Sequence, residues 1–350
     1  MLMTPGPTAV PEPVRRAMSR EQPNPDVESA FAERYERVTD QLQTVYGTDD
    51  DAIVMGGEGI LGLEAAVTST VGPDDRVLVI SNGPYGEGFA DFVESAGGTA
   101  DVVDVEWGTP LDVAAVDRAL ETADYDAATM VHCETPIGTL NDLEPVLDLL
   151  EERDVLSIVD AVSSLGGTPV PTDRIDVALG ASQKCFSTPP GLTTVSVSDR
   201  AWARVESRNP DTLYTNLAPW RDVSDGFPYT HLAANVAALE KGLSLLLAEG
   251  LEAVHERHRR AATLTRERGR DLGLDRYPDP GLDSPTVTAF HVPGRAEAIQ
   301  RELADEHDVI LATGLGDLAA DVLRVGHMGY NADEGRVERT MDALETVLAD

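Results

Sequence analysis

The amino-acid sequence predicts an α/β protein with a mainly parallel sheet, followed by a smaller α+β C-terminal domain. Short runs of β-branched and apolar residues alternate with helical patterns through the first half of the 350-residue chain. This alternation is typical of a parallel sheet covered by helices. After residue 284 the pattern changes to a shorter succession of strands and helices, which is typical of a compact α+β unit.

Each predicted strand of the large sheet is a short apolar run bounded by turn-forming residues. The strands are predicted at residues 52–55, 76–81, 99–105, 127–133, 156–160, 177–181 and 193–197. Between them, apolar residues at helical spacing predict helices. These helices are predicted at residues 58–71, 85–96, 111–123 and 143–152.

The second half begins with helical periodicity over residues 230–247 and, after Gly250, over the Arg-rich residues 251–269. The elements predicted beyond them are a strand at 286–292, a helix at 295–307, strands at 309–312 and 322–325, and a helix at 333–348. We therefore expect a large domain over residues 16–245. Residues 1–15 and 246–350 are expected to form the small domain.

The charge of the chain excludes two classes of partner. The chain has 62 Asp and Glu against 27 Lys and Arg, a formal net charge of −35 at pH 7. Nucleic acid and anionic membrane are therefore poor partners. No apolar stretch approaches the roughly 18 residues of a membrane-spanning helix. Hydrophobic residues make up 42% of the chain, which is typical of a folded globular protein.

Cysteine usage indicates the expected compartment, and lysine usage indicates the kind of surface. Cys133 and Cys185 lie in apolar stretches without a paired spacing, so neither a disulfide framework nor a metal site is expected. The N-terminus lacks a signal-peptide pattern, and we expect a cytoplasmic protein. Among the 27 basic residues the only lysines are Lys184 and Lys241. This composition resembles that of halophilic proteins, in which concentrated salt screens an acidic surface.

A glycine pattern, GEGILG at residues 57–62, follows a predicted strand and opens a predicted helix. It matches a dinucleotide-binding fingerprint, but the next strand ends in Ser81, Asn82 and Gly83 without the acidic residue that would bind a ribose. Two interpretations remain. The turn is either a helix N-terminus whose free N–H groups suit one phosphate, or only a tight connection between a strand and a helix.

Two charged residues follow or end predicted buried strands. Lys184 comes after the strand at 177–181, where an ammonium is costly unless it is paired, has a lowered pKa or is bonded covalently as in a Schiff base. The alternative is a lysine that reaches solvent from the strand end. Asp160 ends the strand at 156–160. A carboxylate there could hold a pyridine nitrogen protonated, or it could cap a turn.

Together these features are the set of groups that pyridoxal 5'-phosphate (PLP) requires. The chain resembles the class V aminotransferases of the fold-type I PLP enzymes, in particular the alanine–glyoxylate and serine–pyruvate aminotransferases. The resemblance covers nearly the whole chain. Its most specific stretches are DAVSSLGG at 160–167 and ASQK at 181–184. The others are TPGPT at 4–8, residues 57–64, SNGPYG at 81–86, HCET at 132–135 and VLRVG at 322–326.

The resemblance implies roles around the cofactor ring. Lys184 is implied to form the Schiff base with PLP and to move the proton during amino transfer. Asp160 is implied to pair with the pyridine nitrogen. Tyr85 and Val162 are implied to pack on the faces of the ring, and Thr135 is implied to hydrogen-bond its phenolic oxygen.

The resemblance also implies how the phosphate is held. Its implied neighbours are Glu58, Gly59, Ile60 and Gln183, the first three mainly through backbone N–H groups. Thr230 matches a position that reaches the phosphate of the neighbouring subunit, so a homodimer with shared active sites is implied. Taken alone, Thr230 is equally well interpreted as a helix N-cap.

The implied substrate contacts are Gly6 and Arg324, whose planar guanidinium suits bidentate binding of a carboxylate. From the residues alone, Arg324 could instead be a surface arginine. The implied reaction moves an amino group from a small amino acid, alanine or serine, to glyoxylate or pyruvate. Alternatives are a class V enzyme that uses aspartate, a PLP lyase of the cysteine desulfurase type, and a non-catalytic protein with the same fold.

Three stretches depart from the family pattern. Pro136 follows Thr135 where relatives often carry a hydroxyl side chain. Phe227 stands where relatives have a phosphate-contacting tyrosine, and Tyr229 is the nearest residue that could replace it. Residues 20–30 lack the basic pattern of the segment that shapes the pocket of the partner subunit. These departures leave the amino donor open.

Overall fold

The computed structural model describes residues 1–349. It begins with two helices that the sequence analysis did not predict, α1 (Glu12–Met18) and α2 (Ser29–Tyr46). Neither helix has a side-chain cap at its N-terminus, but α1 begins with the acidic Glu12 and a proline in its first turn. Helix α2 ends at Gly47, whose φ of 73° is a left-handed conformation that glycine adopts without strain.

A seven-stranded sheet lies at the centre of the larger part of the chain. The first nine strands are β1 (Asp51–Gly56), β2 (Arg76–Ser81), β3 (Thr99–Asp104), β4 (Ala127–Val131), β5 (Cys133–Glu134), β6 (Thr139–Leu140), β7 (Leu156–Asp160), β8 (Val177–Ala181) and β9 (Leu192–Val197). Strands β5 and β6 form a separate hairpin, and the other seven are ordered β1-β9-β8-β7-β4-β2-β3.

The sheet is mainly parallel, as predicted. Strands β8, β7, β4, β2 and β3 are paired in parallel, whereas β9 is antiparallel to β8 and β1 is antiparallel to β9. Because parallel strands end at the same edge, the residues after β2, β4, β7 and β8 come together there. In the register, Val131 faces Asp160 and Asp160 faces Leu179.

Helices connect the strands of this sheet. They are α3 (Gly59–Thr70), α4 (Pro84–Ser95), α5 (Val113–Thr122), α6 (Glu144–Glu152) and α7 (Asp199–Arg208). The first four match predicted helices, and α7 was not predicted. Asp112 caps α5 by accepting the N–H of Ala115 at 2.9 Å, and Ser198 caps α7 by accepting the N–H of Ala201 at 3.1 Å.

The rest of the chain forms two long helices and a small antiparallel sheet with two helices. The helices are α8 (Ala233–Glu249), α9 (Leu251–Asp271), α10 (Ala296–His307) and α11 (Glu334–Ala349). The strands are β10 (Asp275–Arg276), β11 (Thr288–His291), β12 (Ala312–Thr313) and β13 (Val322–Val325), in the order β10-β11-β13-β12. The strand predicted at 309–312 is reduced to the pair that begins at Ala312.

Buried apolar side chains form two clusters. The larger cluster lies on both sides of the seven-stranded sheet, and the smaller lies between the small sheet, α10 and α11. The two clusters meet along α9, where Val254 belongs to the larger and Ala261 to the smaller. Met3 packs in the smaller cluster, and Leu2 pairs with Ile310. The domain boundaries at residues 15 and 245 stay a prediction.

Within residues 1–349, no helix combines the length and the apolar character needed to cross a membrane. In the same range, no three His, Cys, Asp or Glu side chains are grouped so that they could hold a metal ion.

Candidate active site

A cavity of about 250 Å³ lies at the edge of the sheet where the parallel strands end. Nine residues singled out from the sequence line it, namely Gly6, Glu58, Gly59, Ile60, Tyr85, Asp160, Val162, Gln183 and Lys184. Pro7, Leu63, Ser163 and Pro190 also line it. Three of the singled-out residues, Thr135, Thr230 and Arg324, are not part of this lining.

Lys184 lies in the turn after β8, and the N-terminal segment covers it. Its Nζ donates a hydrogen bond to the carbonyl oxygen of Pro5 at 2.8 Å. Burial lowers the pKa of the Lys184 ammonium, while the nearby Asp160 carboxylate opposes this shift. A lysine with a lowered pKa has a larger neutral fraction, so its nitrogen is available as a nucleophile and a base.

Asp160 ends β7 and is 6% exposed. Its Oδ1 accepts the N–H of Val162 at 2.8 Å. Burial raises the pKa of the Asp160 carboxyl to about 6, while the hydrogen bond from Val162 and the charge of Lys184 oppose the rise. The neighbouring His132 is buried, and its Nδ1 lies 2.8 Å from the hydroxyl of Ser164.

Tyr85 and Val162 bring an aromatic ring and an apolar side chain to the cavity. Tyr85 is the second residue of α4, and burial raises the pKa of its phenol. Gly59 opens α3 directly beside Val162, because a Cβ at Gly59 would lie 3.2 Å from Val162 Cγ2. A flat ring could therefore lie against these groups without obstruction from residue 59.

The N-terminus of α3 forms one end of the cavity. Here Glu58 is the N-cap, and its Oε1 accepts the N–H of Ile60 at 3.2 Å. Gln183 Nε2 donates to Glu58 Oε2, also at 3.2 Å. Within residues 1–349, the buried Oε1 of Gln183 has no hydrogen-bond partner. The helix end that suits a phosphate thus already receives an anionic side chain.

Arg324 lies on β13, is 7% exposed, and approaches the site from the small sheet. Its Nε donates to the carbonyl of Thr313 at 2.7 Å, and its Nη1 donates to the carbonyl of Thr135 at 3.4 Å. Within residues 1–349 no carboxylate forms an ion pair with it. Burial lowers the pKa of Arg324, and Tyr85 is the charge partner that opposes the shift. A buried guanidinium held only by carbonyls is suited to bind an incoming carboxylate.

The hydroxyl groups of Thr135 and Thr230 are hydrogen-bonded to other residues of this chain. The Thr135 hydroxyl is hydrogen-bonded to that of Ser163, which lines the cavity. Thr230 donates to Asp26 Oδ2 at 2.9 Å. The alternative interpretation of Thr230 as a side-chain helix cap is wrong, because α8 begins at Ala233 without a side-chain cap.

The aromatic residues near Thr230 are also engaged. Phe227 packs edge-on against Phe31 and Tyr35, with ring centroids at 5.2 and 4.9 Å. The hydroxyl of Tyr229 accepts the N–H of Gly56 at 3.1 Å and donates to the Gly56 carbonyl at 3.3 Å. Tyr229 therefore secures the end of β1.

One buried residue of the site region was missed by the sequence analysis. Glu134 in β5 is fully buried, and its carboxyl accepts the N–H groups of Tyr85 at 3.2 Å and Gly86 at 2.6 Å. Burial raises the pKa of Glu134 to about 8, and the two N–H groups oppose the rise. The sequence does contain a signal for this role, because Glu134 directly continues an apolar strand. Glutamates are rarely buried without a partner.

The chemistry of these side chains fits PLP. A buried lysine with a lowered pKa, a buried carboxyl group and an aromatic ring meet in one cavity, and the N-terminus of α3 lies at its end. The feature least suited to a phosphate is the Glu58 carboxylate, which must turn away from the N–H of Ile60 before another anion binds there.

Comparison with known proteins decides the family. The profile of the family described as "Aminotransferase class-V" matches residues 2–334. This chain is a class-V aminotransferase. Members of this family are PLP-dependent transaminases, and the fold and cofactor expected from the resemblance are confirmed.

Three curated relatives of this class-V aminotransferase have related names. The alanine–glyoxylate aminotransferase of Callithrix jacchus is 31% identical, with 99% of this chain and 87% of the relative covered. The L-aspartate–glyoxylate aminotransferase of Paracoccus denitrificans is 32% identical, covering 100% and 91%. The pyridoxamine–pyruvate transaminase of Mesorhizobium japonicum is 31% identical, covering 88% and 81%.

A solved structure has the same fold. The ureidoglycine–glyoxylate aminotransferase of Bacillus subtilis superposes with a TM-score of 0.95 at 29% identity, covering 99% of this chain and 92% of the other. This class-V aminotransferase therefore shares its whole architecture with a transaminase, including both the large and the small sheet.

Proposed function

We propose that this aminotransferase moves an amino group from a small amino acid, alanine or serine, to glyoxylate or pyruvate. The observation that carries the proposal is Arg324, a buried guanidinium that is hydrogen-bonded only to carbonyl oxygens. A 2-amino acid and a 2-oxo acid share one carboxylate, which such a guanidinium binds in two parallel hydrogen bonds.

The other residues of the cavity supply the remaining functions. Bound PLP supplies the electron sink that makes the substrate Cα–H acidic. Asp160, when ionised, holds a proton on the pyridine nitrogen, and the Lys184 amine bonds the cofactor and carries the proton between the reacting carbons. Tyr85 and Val162 confine the ring, and the hydroxyl pair of Thr135 and Ser163 supplies a donor for its phenolic oxygen.

Small monocarboxylate donors are favoured over aspartate by the charges at the site. Lys184 is the one cationic side chain that lines the cavity within residues 1–349, and Arg324 is the nearby second cation. The distal carboxylate of aspartate would need a third cation. The name of the Paracoccus denitrificans relative supports aspartate as the competing donor.

A lyase of the cysteine desulfurase type is disfavoured. It requires a reactive thiol on a mobile loop, whereas Cys133 and Cys185 are both buried. Burial raises the pKa of Cys133 to about 11 and that of Cys185 to about 12, so both thiols stay protonated at neutral pH.

A second candidate donor, pyridoxamine without a phosphate, is favoured by Glu58. The Glu58 carboxylate occupies the N-terminus of α3, and it also engages the amide of Gln183. A carboxylate repels a phosphate dianion but accepts a hydrogen bond from a hydroxymethyl group. The name of the Mesorhizobium japonicum relative indicates that this chemistry occurs at comparable sequence identity.

In this second reaction pyridoxamine and a 2-oxo acid give pyridoxal and a 2-amino acid. The amino group and the carbonyl oxygen exchange places, and one hydrogen moves from the methylene carbon of pyridoxamine to the Cα of the new amino acid, so no external oxidant or reductant is needed. The residues that bind the ring and the oxo acid are the same in both reactions.

One experiment separates these donors. The purified holoprotein in concentrated salt is mixed with alanine, serine or aspartate, and PLP-free protein is mixed with pyridoxamine. Glyoxylate or pyruvate is then added while visible absorbance and products are followed. An amino acid that bleaches the cofactor band, with the acceptor restoring it, is the donor, whereas formation of pyridoxal by the PLP-free protein identifies pyridoxamine as the donor. Turnover of alanine or serine is expected, and turnover of aspartate alone would overturn the proposal.

The Glu58→Gln variant tests the second candidate. Removal of the charge is expected to tighten PLP binding and to weaken the use of pyridoxamine, each by about tenfold for a loss of roughly 1.4 kcal/mol. Glu64→Gln removes the same charge from an exposed position on α3 and is the matched control. Equal PLP affinity in wild type and Glu58→Gln would count against the pyridoxamine reaction.

We further propose that the protein works as a homodimer in the cytoplasm of a cell with high internal salt. Apolar side chains exposed near the site, including Ile60 at 41% and Leu232 at 44%, support an interface there. The net charge of −35 supports a salt requirement. Light scattering and activity measured across salt concentrations test both, since a monomer active at every salt concentration would contradict them.

A further inference from the structure

Glu134 is a buried carboxyl group that none of the functions above uses. It lies on the β5–β6 hairpin, where it pairs with Thr139, and it is fully buried. Within residues 1–349 it forms no ion pair with a cation. A buried acid that lacks a cationic partner must be stabilised by hydrogen bonds, and its partners indicate what it does.

Those partners are the first free N–H groups of α4. The helix starts at Pro84 after the N-cap Gly83, which has no side chain with which to cap it. Glu134 Oε2 accepts the N–H of Tyr85 at 3.2 Å, and Oε1 accepts the N–H of Gly86 at 2.6 Å. Glu134 therefore caps α4 from another element of the fold by accepting N–H groups that have no partner within the helix.

The turn before α4 is shaped around this carboxyl group. A Cβ at Gly83 would lie 2.6 Å from Glu134 Cγ and 2.8 Å from Oε2, so a side chain at position 83 would displace the acid. On the other side, the hydroxyl of Ser81 donates to the Gly83 carbonyl at 2.9 Å. Ser81 and Glu134 together fix the path of the chain from β2 into α4.

The first turn of α4 carries Tyr85, whose side chain lines the cavity beside Asp160 and Lys184. The next residue after Glu134 also reaches the site, since the carbonyl of Thr135 accepts a hydrogen bond from Arg324 at 3.4 Å. The β5–β6 hairpin thus connects α4, which carries Tyr85, to β13, which carries Arg324.

We propose that Glu134 is a positioning residue that caps α4 from the β5–β6 hairpin and thereby fixes the Tyr85 ring against the cofactor. The inference rests on the proposed function, because it assigns Tyr85 to the cofactor ring. Glu134 does not line the cavity, so its effect passes through the main chain of Tyr85. Errors of about 1 Å in such positions cost up to roughly 100-fold in rate.

The test is a double-mutant cycle between Glu134→Gln and Tyr85→Ala. Glutamine keeps one acceptor oxygen but presents an amide donor to the other N–H group. We expect Glu134→Gln to lower kcat by about tenfold with little change in KM, and to change the visible circular dichroism of the bound cofactor. In the Tyr85→Ala background the same substitution is expected to change kcat by less than about twofold.

Asp75→Asn is the matched control for loss of folding stability. Asp75 is buried, accepts the N–H of Gly72 at 2.7 Å and lies just before β2, at the end of that strand away from the site. The Asp75→Asn substitution should lower the melting temperature and leave the circular dichroism of the cofactor unchanged. Glu134→Ala, which removes both acceptors, should have a larger effect than Glu134→Gln if it folds.

Three outcomes would overturn the inference. These are an equal loss of kcat in the presence and absence of the Tyr85 ring, an unchanged cofactor signal in Glu134→Gln, and a cofactor signal altered equally by Asp75→Asn. Failure of the proposed function is distinct from all three. It would appear in the wild type as a bound chromophore that no amino donor bleaches.

Discussion

The Nζ of Lys184 donates a hydrogen bond to the carbonyl oxygen of Pro5 at 2.8 Å, so the N-terminal segment covers the Lys184 side chain. Gly6, the next residue, has a φ of 111°, a conformation that residues with a Cβ rarely adopt. A Cβ at Gly6 would lie 2.7 Å from Lys184 Cε and 2.8 Å from Nζ. A residue with a Cβ at position 6 would therefore strain the backbone and force the Lys184 side chain to move.

Substitution of Gly6 by alanine should displace the Lys184 side chain. We expect Gly6→Ala to lower kcat/KM by about 100-fold and to slow the formation of the cofactor absorbance band. Gly273→Ala is the matched control, because Gly273 also has a left-handed φ of 73°, but a Cβ there would meet no atom within 4 Å. If both variants lose the same activity, strain in the backbone rather than contact with Lys184 is responsible.

Asp160 should determine the acidic limit of activity. Burial raises the pKa of its carboxyl to about 6, while the Val162 N–H and the Lys184 charge oppose the shift and Glu58 adds to it. Below that pH Asp160 becomes neutral and no longer stabilises a protonated pyridine nitrogen, so kcat is expected to fall as the pH drops through about 6.

Asp160→Asn is expected to lower kcat by at least about 100-fold at every pH and to remove this acidic limb. Asp176→Asn is the control, since Asp176 is buried and directly precedes β8, at the end of that strand away from the site. Measured pH profiles of kcat decide the matter. An acidic limb retained in Asp160→Asn would assign the titration to another group.

The sequence predicted those residues of the candidate site that lie at the ends of buried strands. Asp160 and Lys184 were recognised because each ends or follows a buried run, and parallel strands bring such residues to one edge. Helices α1 and α2 were not predicted, although α2 buries Phe31, Tyr35, Val38, Leu42 and Val45 at helical spacing. The partners of Thr135, Thr230 and Tyr229 depend on contacts between distant segments, which sequence spacing does not encode.

For Glu58 the sequence predicts the position of the residue but not the contacts of its side chain. It lies, as predicted, at the start of a helix that suits an anion, and the resemblance assigns its backbone to the phosphate. Its side chain has a role of its own, because a carboxylate at an N-cap accepts the helix N–H groups by ordinary capping. A phosphate and the Glu58 carboxylate would bind the same N–H groups at the start of α3. This overlap is visible only in the folded structure.

Arg324→Lys should separate binding from chemistry. Lysine keeps the charge but cannot bind a carboxylate in two parallel hydrogen bonds. Hydrogen bonds to charged groups contribute about 1.5–3 kcal/mol, so KM for the oxo acid is expected to rise by about 10- to 100-fold with a smaller change in kcat. Arg266→Lys is the control, because Arg266 is partly buried and also donates to a carbonyl, that of Ser284 at 3.2 Å. An unchanged KM in Arg324→Lys would place the substrate carboxylate elsewhere.

The carboxyl group of Glu134 should make folding stability depend on pH. Burial raises its pKa from 4.5 to about 8, with Asp160 and Glu87 adding to the shift and the N–H groups of Gly86 and Tyr85 opposing it. The folded protein therefore holds this proton more tightly than the unfolded chain. The resulting stabilisation is complete below about pH 4.5 and is lost as the pH rises through about 8.

Glu134→Gln removes that titration, so the two proteins should diverge with pH. The melting temperature of the wild type minus that of Glu134→Gln is expected to decrease between about pH 5 and about pH 8 and to level off above it. Calorimetry of both proteins at constant salt measures the difference, and constant salt matters because 62 acidic residues respond to screening. Parallel curves over the whole range would mean that Glu134 has the same proton affinity in the folded and unfolded states, since glutamine cannot titrate.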